Sequence, residues 1–473
     1  MMHRSRFLLA SAGAMVAAVL PPLSRRALAA DTVDYTLTSA PLNFSPAPGV
    51  NFAGVAFNGT IPGPVLRVVH GQRLRAKFVN NSGEPGTIHW HGMILPNKMD
   101  GVPGVTQSAV ADRQSFLYDF VPDPAGTRWY HDHVGDGVAR GLFGLIVVED
   151  PKDEPADKEF ALVFHDVPKM TTLEAAMNGT SSAPMVDPLG APEMTQMKAG
   201  DKMGDEVLYV AHCINGASYP GTKKLAVKVG DTVRLRILNA NPTQTRYVRL
   251  AGHRLTVTHA DGNRLPQNIQ VDALRIGVGE RYDAYFEVAK PGAFLLQGLS
   301  SAPLAYQQAV VLYTDGMENA PPMSSPQTLD GVDYFTYEKA GGIAGEATTP
   351  GDAHMFTLGG GEYGSNKWEI NGKTYPDTPK IYVRRGDTYY VHFHNKTDMD
   401  HPMHMHGHVF ELIEIDGKRL AKPLSKDTSL VRANDGTATW RFKADSPAGR
   451  WVLHCHNEVH MMDGMMTEVV YRS

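Results

Sequence analysis

Apolar and polar side chains alternate with a period of two over many short stretches of this chain, as where Val233, Leu235 and Ile237 are separated by Arg234 and Arg236. That period sends successive side chains to opposite faces of an extended strand, and the stretches end in Asn-Gly or Gly-centred turns. The pattern predicts β-sandwich strands, not helices. It also repeats. Residues 213–239 laid over 369–395 without a gap match at 12 of 27 positions. A shorter copy begins at Phe57, so Asn58, Asn215 and Asn371 recur at steps of 157 and 156 residues. Three homologous domains are expected from that step. Their ends repeat as well: Pro124-Ala125-Gly126 precedes His131-Asp132-His133 by the offset at which Pro447-Ala448-Gly449 precedes His454-Cys455-His456, and Pro291-Gly292 marks the middle copy.

Segments that break the alternation set the boundaries. Residues 7–23 form an apolar run after Arg4 and Arg6, followed by small residues at Ala27 and Ala29. This reads as an export signal over residues 1–29 and places the mature protein in the periplasm or outside the cell. A membrane anchor is the weaker reading, since the run is short and broken by Pro21 and Pro22. Arg4-Ser5-Arg6 resembles a twin-arginine signal with serine replacing one arginine, so the export route stays open. The first domain is expected over 30–150 and the second over 151–315, opening on the charged stretch 151–158. A Pro/Gly/Ser-rich linker follows at 316–351, then the third domain at 352–473.

Composition narrows the function less than the boundaries do. The 473 residues are 42% hydrophobic and 20% charged, which suits ordinary globular domains. Removing residues 1–29 leaves 41 basic and 50 acidic side chains, a formal charge of −9. Such a surface gives no electrostatic reason to bind nucleic acid, and the mature chain holds no membrane span.

Chemistry is concentrated in four histidine clusters: His89-Trp90-His91, His131-Asp132-His133, a run from His401 through His404 and His406, and His454-Cys455-His456. Imidazole and thiolate suit copper and zinc. In the middle copy the residues aligned with His401, His404 and His406 are Arg246, Arg249 and Ala251, and those aligned with His454-Cys455-His456 are Gln297, Gly298 and Leu299. The middle domain therefore lacks ligands. On a strand, Cys455 points away from His454 and His456, so one tripeptide touches two sites. On the thiolate side His401, His460 and Met465 would complete a blue-copper set. On the other, His454 and His456 could join His89, His91, His131, His133, His404 and His406 in a multinuclear centre. A structural zinc site, closed by four ligands, would need neither set. Cys213, the second cysteine, reads as a buried apolar thiol; a bridge to Cys455 is the alternative.

These motifs resemble those of the three-domain multicopper oxidases, the laccase and cuprous oxidase family, over nearly the whole mature chain. The resemblance implies an all-β fold of three tandem cupredoxin-like Greek-key β-sandwich domains and four coppers per chain. It makes His401, Cys455 and His460 the type 1 ligands with Met465 axial. His89 and His404 become type 2 ligands, and His91, His131, His133, His406, His454 and His456 hold the type 3 pair. The implied activity couples four one-electron oxidations of a phenolic or aromatic reductant, or of Cu(I), to reduction of dioxygen to water. Electrons would pass through Cys455, and Asp100 would relay protons. Met461 stands where bacterial relatives often carry a glutamate, with Glu458 nearby.

Several readings stay open beside these. Asp100 precedes Gly101 and suits an ordinary turn. Six methionines fall within 170–203 and seven near the type 1 motifs. They resemble the Cu(I)-collecting inserts of cuprous oxidases, yet methionine also fills cores. A non-enzymatic cupredoxin-repeat scaffold or copper-binding protein and a copper nitrite reductase are the alternative functions.

Overall fold

The computed structural model describes residues 32–177, 207–299, 308–362 and 367–472. The expected export signal and most of the methionine-rich stretch lie outside these residues. The described strands pair into six sheets, two from each of three successive stretches of chain. In the first stretch, Phe52–Phe57, Thr32–Phe44, Arg73–Asn80 and Ser115–Phe120 lie side by side in that order. The second sheet runs Leu66–Val69, Phe143–Glu149, Gly126–His131, His89–His91. Leu37, Leu74 and Tyr118 of one sheet share a core with Trp90, Tyr130 and Ile146 of the other. The alternation dictates this, because one apolar face per strand is removed from water by pairing the sheets.

Later stretches rebuild the plan. In each, the first long strand runs parallel to the strand after the Gly-centred turn: Thr32–Phe44 with Arg73–Asn80, Lys158–Pro168 with Thr232–Asn239, and His354–Gly360 with Thr388–Asn395. Each second sheet sets one cluster-bearing strand beside another. His89–His91 lies beside Gly126–His131, Arg246–Leu250 beside Ala293–Leu299, and His401–Met405 beside Arg450–Cys455. Gln297 pairs with Arg249 as His454 pairs with His404, so the ligand-free middle copy keeps the register. The chain is all-β.

The recurring asparagines have a physical reason. Asn58, Asn215 and Asn371 adopt φ of 53°, 52° and 55°, the left-handed region that asparagine tolerates. Each side chain makes the same two bonds to a neighbouring strand: Oδ1 accepts from the N–H of Thr38, Val163 or Thr357, while Nδ2 donates to the carbonyl of Thr36, Ala161 or Met355. Asn80, Asn239 and Asn395 end the equivalent strands, fully buried, and tie down the following loops by donating to two or three carbonyls each.

Two features depart from simple alternation. Arg234 and Arg236, the polar positions of Thr232–Asn239, are 3% and 1% exposed and bind Asp283, Asp153 and Glu159. Within the expected second linker, Tyr337–Gly341 is helical and Ile343–Glu346 edges the seven-stranded sheet. The Tyr337 hydroxyl donates to Glu280 and accepts from the Leu430 N–H, joining the second stretch to the third.

Candidate metal centres

The strand carrying Cys455 ends at that residue. Asn457 then caps a helical turn, Glu458–Met462, its Oδ1 accepting from the N–H groups of Val459 and His460. The turn swings His460 back over the thiol. Cys455 Sγ lies 3.6 Å from His401 Nδ1 and 3.5 Å from His460 Nδ1, and the two nitrogens are 3.0 Å apart. His401 Nε2–H is directed at Thr397 Oγ1, 2.8 Å away, which leaves the Nδ1 lone pair facing Cys455. The His460 ring stacks on Trp368 with centroids 3.7 Å apart. Met465 is fully buried; its N–H donates to the His460 carbonyl and its own carbonyl accepts from the Cys455 N–H. Burial pushes the Cys455 thiol up, so its thiolate requires a cation beside it. Neither cysteine forms a disulfide, and burial pushes the Cys213 thiol up to about 12.

The second centre assembles from both outer stretches. His89 pairs with His131, and His404 with His454, in strand register. The two halves then interleave: His89 stacks on His406 at 3.7 Å and His91 on His404 at 3.6 Å between centroids. Hydrogen bonds fix the tautomers. Nδ1–H of His89, His131, His404 and His454 donates to the carbonyl of Asp100, Asp132, Asp427 and Cys455 at 2.7–2.8 Å. His406 Nδ1–H donates to Asp100 Oδ2 at 2.9 Å. These donations leave the Nε2 lone pairs pointing inward.

Those inward nitrogens test whether metal fits. Nε2 of His89, His131, His133, His404 and His456 and Nδ1 of His91 are buried without a hydrogen-bond partner, while Nε2 of His406 and His454 face each other at 3.0 Å. Unpartnered buried acceptors cost about 1–3 kcal/mol each. Burial and then mutual proximity hold His91, His131, His133, His404, His406 and His456 well below the usual imidazole range, so these rings are neutral ligands. Converging lone pairs with no donors between them fit cations. Donor atoms within 4.8 Å of one another group as His89-His91-His131, His89-His404-His406, His133-His406-His454 and His91-His404-Asp427, with His401-Cys455-His460 as a separate set.

Beside the cluster lies a small cavity of about 20 Å³ lined by residues of all three stretches, among them His133, Asn241, His456, Glu458 and Met461. The Glu458 carboxylate accepts from the Ala139 N–H at 3.1 Å. Asp132, where the third copy has Cys455, accepts from the Thr87 N–H instead. Sequence reasoning missed Asp427, whose Oδ1 lies 3.1 Å from His91 Nε2, because no local motif marks it.

Comparison with known proteins agrees with this geometry. Multicopper oxidase family profiles match residues 40–153, 190–313 and 347–473. The chain is 33% identical to the multicopper oxidase MmcO of Mycobacterium tuberculosis, over 97% of this chain and 91% of that protein. It is 26% identical to laccase-4 of Trametes villosa over 88% and 85%. Among solved structures, a multicopper oxidase from Pseudomonas thermotolerans superposes with a TM-score of 0.66 at 26% identity, covering 94% of this chain and all of that one. A Campylobacter jejuni multicopper oxidase described as a metallo-oxidase superposes at 0.69 and 22% identity over 96% and 95%. The chain belongs to the multicopper oxidase family, a copper-dependent oxidoreductase that couples substrate oxidation to dioxygen reduction.

Proposed function

We propose that His401, Cys455 and His460, with Met465 axial, hold the type 1 copper; that His89 and His404 hold the type 2 copper; and that His91, His131, His133, His406, His454 and His456 hold the type 3 pair. The observation carrying this assignment is the position of Cys455: its thiol meets His401 and His460 while its two sequence neighbours enter the eight-histidine cluster. When bound, the coppers supply one-electron acceptance at type 1 and reduction of dioxygen at the other three. The backbone from Cys455 to His454 and His456 is the shortest covalent connection between the sites. Asp100, fully buried, fixes His89 and His406 together and is positioned to carry a proton at Oδ2. We take the three domains as 30–150, 151–315 and 352–473, with Ile343–Glu346 of the intervening linker adding an edge strand to the third, and the protein as exported. Among the described residues no helix is long and apolar enough to cross a membrane.

For the reductant, relatives point two ways: one is named laccase and one structural neighbour a metallo-oxidase. Burial favours Cu(I) over a phenol. His460 is 0% exposed, and Met170–Met177, the helix leading into the methionine-rich stretch, packs Leu173 and Ala176 against Val459 beside it. Among the described residues the His460 ring presents no exposed edge to an aromatic substrate. Oxygen uptake by the copper-loaded protein decides: turnover of Cu(I) exceeding that of a methoxyphenol is expected. Equal or faster phenol turnover without added copper makes the protein a laccase.

A further inference from the structure

The middle stretch supplies no histidine to either centre, yet one of its charged groups reaches the eight-histidine cluster. Arg281 opens the strand Arg281–Glu287 and is fully buried. All five of its N–H donors are used. Nε donates to the Thr127 carbonyl, Nη1 to the Gly279 carbonyl and Asp427 Oδ1, and Nη2 to the Asp261 carbonyl and Asp427 Oδ2. The fork grips both carboxylate oxygens, at 2.8 and 2.6 Å, and the remaining bonds forbid it to rotate. Arg128, from the strand that carries His131, also approaches Asp427 Oδ2 at 3.3 Å. Behind Asp427, Lys426 is buried between Asp261 and Glu280 of the middle stretch.

Asp427 thereby faces the cluster in one fixed orientation. Oδ1 accepts from His91 Nε2–H at 3.1 Å and from the Thr428 hydroxyl at 3.0 Å, whose oxygen shares the His91 Nε2–H at 3.0 Å, and the backbone carbonyl accepts from His404 Nδ1–H at 2.7 Å. The consequence separates His91 from its neighbours. His89, His131, His404 and His454 donate through Nδ1, whereas His91 donates through Nε2 and turns Nδ1, buried and unpartnered, toward the cluster.

We propose that Arg281 is a positioning residue for the trinuclear centre: by clamping Asp427 it holds His91 in the Nε2–H form with Nδ1 free for copper, so the ligand-free middle domain governs occupancy of a site built by the other two. The proposal rests on the assignment of His91 as a ligand. Outer partners of metal-bound histidines contribute about 10- to 100-fold in metal affinity, and an arginine fork is not replaced by a lysine point charge.

The test uses full-length, copper-loaded protein with Arg281→Lys and Arg281→Gln substitutions, titrated with a chelator. Expected are an unchanged type 1 absorption band and potential, with copper and the near-ultraviolet absorption of the type 3 pair lost at about 10- to 100-fold lower chelator concentration. Chelator resistance and type 3 absorption equal to the unsubstituted protein overturn the proposal. So does parallel loss of type 1 and type 3 signals, which marks a purely structural arginine. Should neither variant fold, histidine ¹⁵N NMR of the metal-free unsubstituted protein decides: His91 as the Nε2–H tautomer supports the clamp, and His91 as Nδ1–H overturns it. Absence of type 3 absorption from the copper-loaded unsubstituted protein instead refutes the assignment of His91 as a ligand.

Discussion

At the residue scale the two centres are built from contacts that one atom each can break. A thioether from Met465 beside the type 1 copper would donate electron density that stabilises the oxidised metal. Met465→Leu is expected to raise the type 1 potential in a redox titration while the blue band persists; an unchanged potential removes Met465 from the site. A non-ligand histidine shows the same physics without metal. His165 Nε2 accepts from the Gly216 N–H at 3.1 Å, and burial holds its pKa down to about 3. Between that value and the ordinary 6.5 the unfolded chain binds a proton that the folded one refuses. Its contribution is therefore full above about pH 6.5 and is lost as pH falls toward 3, at about 1.4 kcal/mol per pH unit. His165→Gln keeps an acceptor but cannot titrate, so its melting temperature should fall less steeply below pH 6.5; an identical slope contradicts the assignment. The proposed ligands were legible because histidines two apart share one strand face. Asp427 and Arg281 were not, because they meet across 146 residues and neither lies in a periodic motif.

At the scale of elements, alternation and turn chemistry carried most of the fold. The Asn-Gly turns are occupied by left-handed asparagines whose side chains repeat one pair of bonds, which is why the sequence repeat is detectable there. Asn371→Gly keeps the backbone angle and loses the two bonds. Asn371→Ala loses both and adds strain, so it should be about 1–2 kcal/mol less stable than the glycine variant in chemical denaturation. Equal stabilities would mean the angle carries no cost. Alternation failed in two places. It did not reveal that Arg234 and Arg236 face a buried charge network, because period two gives faces and not what covers them. It also carried the strand past Cys455, where an Asn457 cap starts a helical turn. Asn457→Ala should cost about 1 kcal/mol and broaden the type 1 band, since the cap sets the direction of His460.

At the scale of the molecule, three similar sandwiches take different roles. The outer two supply interleaved histidines, and the middle one braces them through buried charge pairs involving Asp261, Arg281, Lys426 and Asp427. Breaking one partner of such a pair costs about 3–5 kcal/mol, so the arrangement holds only when all three parts are folded together. Metal removal should accordingly lower the melting temperature without changing the secondary structure, as seen by calorimetry and circular dichroism. The central claim is that Cys455 belongs to a type 1 copper and its neighbours to a separate trinuclear centre. Copper analysis with EPR on the unsubstituted protein and Cys455→Ser tests it most directly. Four coppers with type 1 and type 2 signals are expected in the first, and in the second three coppers with type 2 intact, no blue band and no oxygen uptake. A blue band surviving Cys455→Ser, or type 1 and type 2 signals lost together, would contradict it.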